Sequence, residues 1–511
     1  MALKREIGGI LKHSTIYGVG NILHRIPPLV LLPVYLNYLT TEDFGKKEII
    51  SLVIEFLGII ISMGVASAMS RFYYEYKDRR EQNEVVSTIV ISYAVVAGII
   101  LSALATQAHH IVSMISLDAG DHILVVLALA SLWMNTIYLM LCNYLRIREK
   151  SILFVSISLA KLTLTLTLNI VFIVHLGYGI LGIFLSTFIA ALAVTVMLSV
   201  PLLFKIGARV SLPRLKEIVS FGAPLIIAQL AGAIVHLSDR YFIQSFLSLT
   251  SVAIYTAGYR IGNSINALVN SPFQQIWNPR RFALHKDDDA KSIYASVFTY
   301  YLFLMVLCGI LLAACARDLI LVVGRPEYYS APAVVPLITL AYILFGAQGH
   351  FTTGIMIRKK TKLLAKILLI TAAMNLLLNI LLIPRYGIMG AACSTLASMF
   401  LRLVLTGWIS QRVYPVHWEW LRILRVFGAG VIAWCASSLL RYPETFDAWV
   451  ADFDAYSGHL RLLGMEYMAF HALIGMAVYL AIVFLPGFLR AREKAFAREK
   501  LSGLVRRFRR G

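Results

Sequence analysis

The sequence predicts an all-α polytopic membrane protein with about fourteen transmembrane helices. These form two six-helix lobes related by an internal repeat, followed by two C-terminal helices. Three observations predict it. Of 511 residues, 59% are hydrophobic and only 14% charged, too few polar groups to cover a water-soluble surface around such a core. Apolar runs of about the 20 residues that a bilayer crossing needs recur along the whole chain. The basic residues between those runs alternate in density from loop to loop.

The spans fall in order at 13–37, 48–70, 85–106, 122–145, 151–174, 179–204, 217–244 and 250–277. The second set is 292–314, 330–357, 363–383, 387–411, 420–440 and 466–488, with Leu319 to Val323 as a short interfacial piece before the tenth. Residues 1–12 read as a cytoplasmic amphipathic entry segment with no signal-peptide cleavage site, 13–205 as the N-lobe and 206–216 as a cytoplasmic linker. The C-lobe follows at 217–413, the two extra helices at 414–488, and a basic cytoplasmic tail at 489–511.

A net charge of +20 in a soluble chain would suggest nucleic acid. Here its placement points to membrane orientation and excludes that partner. The termini and every second loop hold 34 of the 47 Lys and Arg, and the opposite loops hold 7. Loops rich in Lys and Arg stay in the cytoplasm, so both termini are expected there and the chain in the bacterial inner membrane. The tail is expected to lie on the anionic leaflet. The five cysteines lie in or beside apolar runs without ligand spacing, and read as packing residues rather than metal ligands.

The halves repeat. Leu168-Asn169-Ile170 recurs as Leu378-Asn379-Ile380, and Tyr178-Gly179-Ile180-x-Gly182-x-x-x-Ser186-Thr187 recurs as Tyr386-Gly387-Ile388-x-Gly390-x-x-x-Ser394-Thr395. The small residues suit close helix approach, and the glycine after tyrosine suits a tight turn. An even number of spans separates the copies, so the repeats are parallel and a substrate path is expected between the lobes.

Six basic residues remain inside spans: Arg25, Lys161, Arg240, Arg260, Lys366 and Arg402. Arg25, Lys161 and Arg260 lie about ten residues from a span end, near the midplane at ~1.5 Å per residue. A cation there costs roughly 2.5–3.5 kcal/mol if it faces lipid, so it should face water, a partner or an anion. The acids assigned to spans are Glu55 and Asp239. Arg260 has no acidic partner evident at its depth, and is the best candidate for an anion contact. Arg260, Asn263, Asn270 and Gln274 recur at spacings that place them on one face, which reads as a wet surface.

Each of these residues also has a plainer reading. Arg25 and Glu55 would pair across the first two helices, Asp239 and Arg240 would form an interfacial pair with Arg240 snorkelling, and Lys161 would make a structural hydrogen bond. His24 and His236 read either as coupling partners or as hydrogen-bonded packing residues. Pro27, Pro28, Pro224 and Pro272 favour kinks, which serve as hinges for alternating access or as static bends.

These blocks, together with Ser238-Asp239-Arg240-Tyr241 on the seventh span, resemble the polysaccharide biosynthesis flippases. That family includes the Wzx-type O-antigen and exopolysaccharide flippases. It belongs to the superfamily that also holds the multidrug and toxic-compound exporters and the lipid II flippase. The resemblance implies a MATE-like fold and no cofactor. It further implies translocation of an undecaprenyl-pyrophosphate-linked oligosaccharide without covalent chemistry, a possible coupling ion (H+ or Na+), and glycan polymerases as partners. A cationic cavity would then correspond to Arg25 and Arg260, with Glu55 and Asp239 as charge or coupling partners. Guanidinium suits pyrophosphate, and the amides of Asn263, Asn270 and Gln274 suit sugar hydroxyls.

Two rival readings make different demands. A drug or cation antiporter of the same superfamily needs a dominant acidic site, whereas the spans are net positive. A membrane glycan polymerase or ligase needs a nucleophile-and-base constellation, which the outer loops do not show. A non-transporting assembly scaffold is a third reading, on which the sequence is silent.

Overall fold

The computed structural model describes residues 27–62, 65–439, 453–485 and 488. Arg25, His24 and most of the first predicted span lie outside the described residues, as does the whole of the basic tail. The described part of the chain is helical throughout, because each apolar run can satisfy its backbone polar groups in lipid only within itself.

The first half comprises α1 (Pro27–Val30), α2 (Leu32–Tyr38), α3 (Thr41–Ser62), α4 (Val65–Glu75), α5 (Arg79–Thr106), α6 (Ala108–Met114), α7 (His122–Ile147), α8 (Ser151–Ile170) and α9 (Gly179–Ile206). The second comprises α10 (Leu212–Phe246), α11 (Leu249–Ile265), α12 (Ser271–Leu284), α13 (Ala290–Ala314), α14 (Ala316–Val323), α15 (Val335–Ile357) and α16 (Thr361–Val413). The terminal pair is α17 (Trp420–Ser437) and α18 (Phe453–Val483). Nine helices among the described residues are long and apolar enough to cross a membrane, or ten if the bent pair within α10 is one span.

The difference from fourteen has physical causes. The 53-residue α16 runs through two predicted spans, which part at Gly387, where the backbone is left-handed (φ 59°, ψ −139°). α3 carries five charges in its first eight residues, and α11 and α12 are unusually polar. The fourteenth helix starts at Phe453 rather than residue 466, so part of the expected outer loop is helical. The buried pair His471 Nδ1–Asp318 Oδ2 (2.7 Å) ties this helix to α14.

The repeat has matching local geometry. Gly179 and Gly387 both have positive φ (53° and 59°), a region open to glycine at little cost. The two repeated asparagines fasten the first helix of each half. Asn169 accepts a hydrogen bond from Tyr35 Oη (3.1 Å) on α2. Asn379 donates to Ser238 Oγ (3.2 Å) on α10 and to Asn375 Oδ1 (3.3 Å). Both asparagines are buried. Asn379→Ala is expected to lower stability by about 1–3 kcal/mol, since it strands buried polar partners. Thermal unfolding of the detergent-solubilised protein checks this, and a midpoint equal to wild type would refute the fastening role.

The predicted prolines act differently from one another. α10 bends by 42° between Leu212–Ala223 and Ile226–Phe246, the break containing Pro224. Pro272 follows a π-turn at Asn266–Asn270. Its missing N–H and its ring disfavour an ordinary i→i−4 turn there. Pro27 and Pro28 open the short α1, which is interrupted at Leu31 before Pro33 starts the next helix.

The halves are joined at the end that bears few basic loop residues. Thr41 Oγ1 meets Thr250 Oγ1 (3.3 Å), Gln244 Nε2 donates to the Ile115 carbonyl (2.5 Å), and Asn37 Nδ2 donates to the Val323 carbonyl (2.7 Å). A Cβ on Gly45 would lie 2.2 Å from the Leu249 carbonyl oxygen, so only glycine permits that approach. At the basic end the first half is held by the start of α10, through Arg214–Glu81 (3.3 Å) and the stacking of Arg71 on Phe221 (4.5 Å).

Candidate functional site

Glu48, on the first turns of α3, is the centre of the charged seam between the halves. Arg260 Nη2 on α11 reaches Glu48 Oε1 at 2.5 Å, and Lys47 Nζ reaches the same oxygen at 2.7 Å. Arg240 Nε on α10 stands 3.7 Å from Glu48 Oε2. Arg240 also pairs with Asp239 Oδ1 (3.2 Å) and donates to the His236 carbonyl (3.0 Å). Tyr255 Oη donates to the other oxygen of Asp239. Three cations thus meet two carboxylates in a buried setting, where the pairs need each other far more than they would at a surface.

Aromatic rings wall this cluster. Arg260 lies over Phe44 (5.3 Å) and Arg240 over Tyr259 (4.5 Å). Tyr259 Oη meets Tyr342 Oη at 2.6 Å, and Tyr342 Oη meets His236 Nδ1 at 3.3 Å. His236 stacks on Tyr342, with ring centroids 5.9 Å apart.

Several sequence expectations need correction here. Arg260 does have a carboxylate partner, Glu48, 212 residues away in the chain. Arg240 does not snorkel, since it is 5% exposed beneath Glu48, although its pairing with Asp239 is as expected. The polar stripe does not converge on one place. Arg260 turns to α3, whereas Asn270 and Gln274 line a second pocket with Arg281 and Arg402. The π-turn at Asn266–Asn270 inserts itself between them and resets the helical register. Asn263 Oδ1 is buried and has no hydrogen-bond partner among the described residues.

Glu55 lies two turns along α3 from Glu48 and lines a cavity of about 460 Å³. Lys47, Ser51, Asn135, Thr187 and Gln229 share that wall, so the cavity lies between the first half and α10. Lys161 Nζ donates to Asn135 Oδ1 and lies over Tyr138 (4.1 Å), a structural role. Among the described residues Glu55 has no ion pair; Arg25, its expected partner, is outside them. No cluster among the described residues could hold a metal ion.

Glu48 escaped notice because it sits at the predicted start of a span, where Lys46 and Lys47 read as loop charges. The available signal was its spacing of seven from Glu55, which puts both on one helical face. Lys46 is separate from Glu48: its Nζ reaches Asp118 (2.6 Å), Asp121 (3.2 Å) and Glu42 (3.4 Å). Those bonds brace α3 against the start of α7.

A helical chain with nine described helices long and apolar enough to cross a membrane, divided by a charged seam, has the architecture of a polytopic membrane protein. Solved structures share the fold. The lipid II flippase MurJ in an inward closed conformation superposes with a TM-score of 0.70 at 14% identity, covering 92% of this chain and 99% of that one. An inward-facing multidrug resistance MATE family transporter of the MOP superfamily gives 0.61 at 13% identity, covering 81% and 96%. The chain belongs to the polysaccharide biosynthesis protein family, whose sequence profile matches residues 10–285. Among curated relatives, an uncharacterized membrane protein of Methanocaldococcus jannaschii is 29% identical over 136 residues, 25% of this chain and 26% of that one. A protein of the lsg locus of Haemophilus influenzae is 30% identical over 92 residues, 18% of this chain and 23% of that one. The matched segment thus spans about a quarter of each relative's length.

Proposed function

We propose that this protein translocates a polyprenyl-diphosphate-linked oligosaccharide, in bacteria undecaprenyl pyrophosphate-linked, across the cytoplasmic membrane by alternating access. The observation that carries this reading is the convergence of Lys47, Arg240 and Arg260 on Glu48 across the seam. While the seam is closed, Glu48 occupies the guanidinium groups. When it opens, they are released toward an anion. A diphosphate competes well for that position, because guanidinium binds it through paired, charge-assisted hydrogen bonds. The Lys/Arg-rich loops face the cytoplasm in this reading, so the described conformation is closed on the outer side. The delivered glycan would pass to a polymerase.

Glu55 is the carboxylate that the 460 Å³ cavity offers to a coupling proton or sodium ion. The same position would serve a cation antiporter, but Lys47 on the same wall offsets its charge and weakens that alternative.

The test uses a deletion strain complemented in trans. Wild type should restore surface polysaccharide, and Arg260→Ala should leave lipid-linked glycan on the inner leaflet although the protein inserts normally. Arg260→Lys should rescue little if paired hydrogen bonds matter. Normal export by Arg260→Ala would end the claim that this cation handles the substrate.

A further inference from the structure

A second cationic site lies apart from the seam, toward the basic end. A pocket of about 220 Å³ opens between α12, α15 and α16. Two arginines line it, Arg281 and Arg402, with the amides of Asn270, Gln274, Asn278 and Gln348. Unlike Arg240 and Arg260, neither arginine pairs with a carboxylate among the described residues.

Arg281 is held rigidly. It is 4% exposed, and Nη1 donates to the Gly349 carbonyl (2.9 Å), Thr352 Oγ1 (3.2 Å) and Thr353 Oγ1 (3.2 Å). Among the described residues its Nε is buried without a hydrogen-bond partner, as is Gln274 Nε2. Arg402 lies over the Phe345 ring (5.3 Å) and has no hydrogen bond among the described residues. The pocket therefore presents two positive charges, that of Arg281 held in place by its hydrogen bonds, and unused N–H donors.

Burying such charges uncompensated is costly, and orphaned donors add to the cost. An acceptor-only anion removes both penalties together. A phosphate oxygen accepts and never donates when ionised, so a diphosphate fits this donor-rich surface better than a sugar hydroxyl, which must also find an acceptor. We propose that this pocket is the inner docking site for the diphosphate of the lipid-linked substrate, from which it passes to the cations released by Glu48. This rests on the substrate reading above. An anionic phospholipid headgroup shares part of the chemistry, and is separated from it by the test.

The full-length protein in phosphatidylcholine nanodiscs is titrated with inorganic pyrophosphate by calorimetry. Saturable binding should weaken about tenfold or more in Arg402→Gln and largely persist in Arg402→Lys. Arg402 is the variant of choice because among the described residues it makes no hydrogen bond that folding would miss, and Gln274→Ala provides a second probe with a smaller loss. Undecaprenyl diphosphate in the disc should displace pyrophosphate, whereas phosphatidylglycerol should not. Unchanged affinity in both variants, or equal displacement by phosphatidylglycerol, overturns the assignment. Binding is read without transport. A protein that binds as described yet moves no glycan defeats the function alone, and one that moves glycan with Arg402 replaced and pyrophosphate affinity unaltered defeats only this site.

Discussion

Replacing Glu48 by Gln is expected to unlatch the outer seam and stop export. The side chain keeps its shape but loses the charge that Lys47, Arg240 and Arg260 share. Removing one partner of a buried ion pair costs about 3–5 kcal/mol, because the remaining charges stay desolvated. Arg260 retains 14% side-chain exposure, so the lower end applies. A penalty of about 3 kcal/mol on the closed state shifts the open-to-closed ratio by about two orders of magnitude. A cysteine at Thr250, introduced after the five native cysteines are replaced, reports this directly. An impermeant maleimide should label it at least about tenfold faster in Glu48→Gln. Glu48→Gln combined with Arg260→Gln should slow labelling part of the way back to wild type without restoring export, since the pair is then neutral and the effects of contacting residues do not add. Labelling and export both at wild-type levels would show that Glu48 latches nothing.

The second large effect is steric. Gly45→Leu should prevent the seam from closing, because even its Cβ would meet the Leu249 carbonyl at 2.2 Å. Backbone lies on both sides, so neither partner can turn aside, and overpacking of this kind costs about 1–3 kcal/mol or more. The Thr41–Thr250 contact at 3.3 Å supplies the readout. Cysteines at those two positions should crosslink readily in the Gly45 background and poorly beside leucine. Export should fall in parallel while membrane insertion is retained. Undiminished crosslinking would mean that the approach of Gly45 to Leu249 is not what brings the halves together. The two variants reach the same conformational change by unrelated means, one by removing a buried charge, the other by overpacking a close backbone approach.

Much of the fold was legible from residues alone. The apolar runs located the helices, and the repeated Tyr-Gly blocks located two turns whose glycines share a left-handed backbone. The merged α16 shows the limit: hydropathy separates its two arms at Gly387, but carries no information on how sharply they bend there. The site was legible in parts. The pairing of Asp239 with Arg240 was legible but its burial was not, since Arg240 reads as a snorkelling residue and is 5% exposed, and Glu48 and Arg281 were passed over as boundary and loop residues. Both lie near span ends, where a one-dimensional window cannot separate a charge facing water from one turned inward. Arg281 is buried because Gly349 and two threonines of α15 supply its acceptors.

By itself the sequence determined the membrane class of this protein, the approximate places of its apolar helices, and the presence of an internal repeat. Those properties follow from composition, from the length of apolar runs and from recurring residue blocks, all of which are local along the chain. Only the tertiary structure decided which charge meets which. Glu48 and Arg260 are 212 residues apart, and their meeting depends on how two helices from different halves are packed. A π-turn of five residues, invisible to a 3.6-residue period, sent Asn270 and Gln274 to Arg402 rather than to Arg260. Pair energies fall with distance in space and ignore distance in sequence, so the charged seam exists only once the halves have come together.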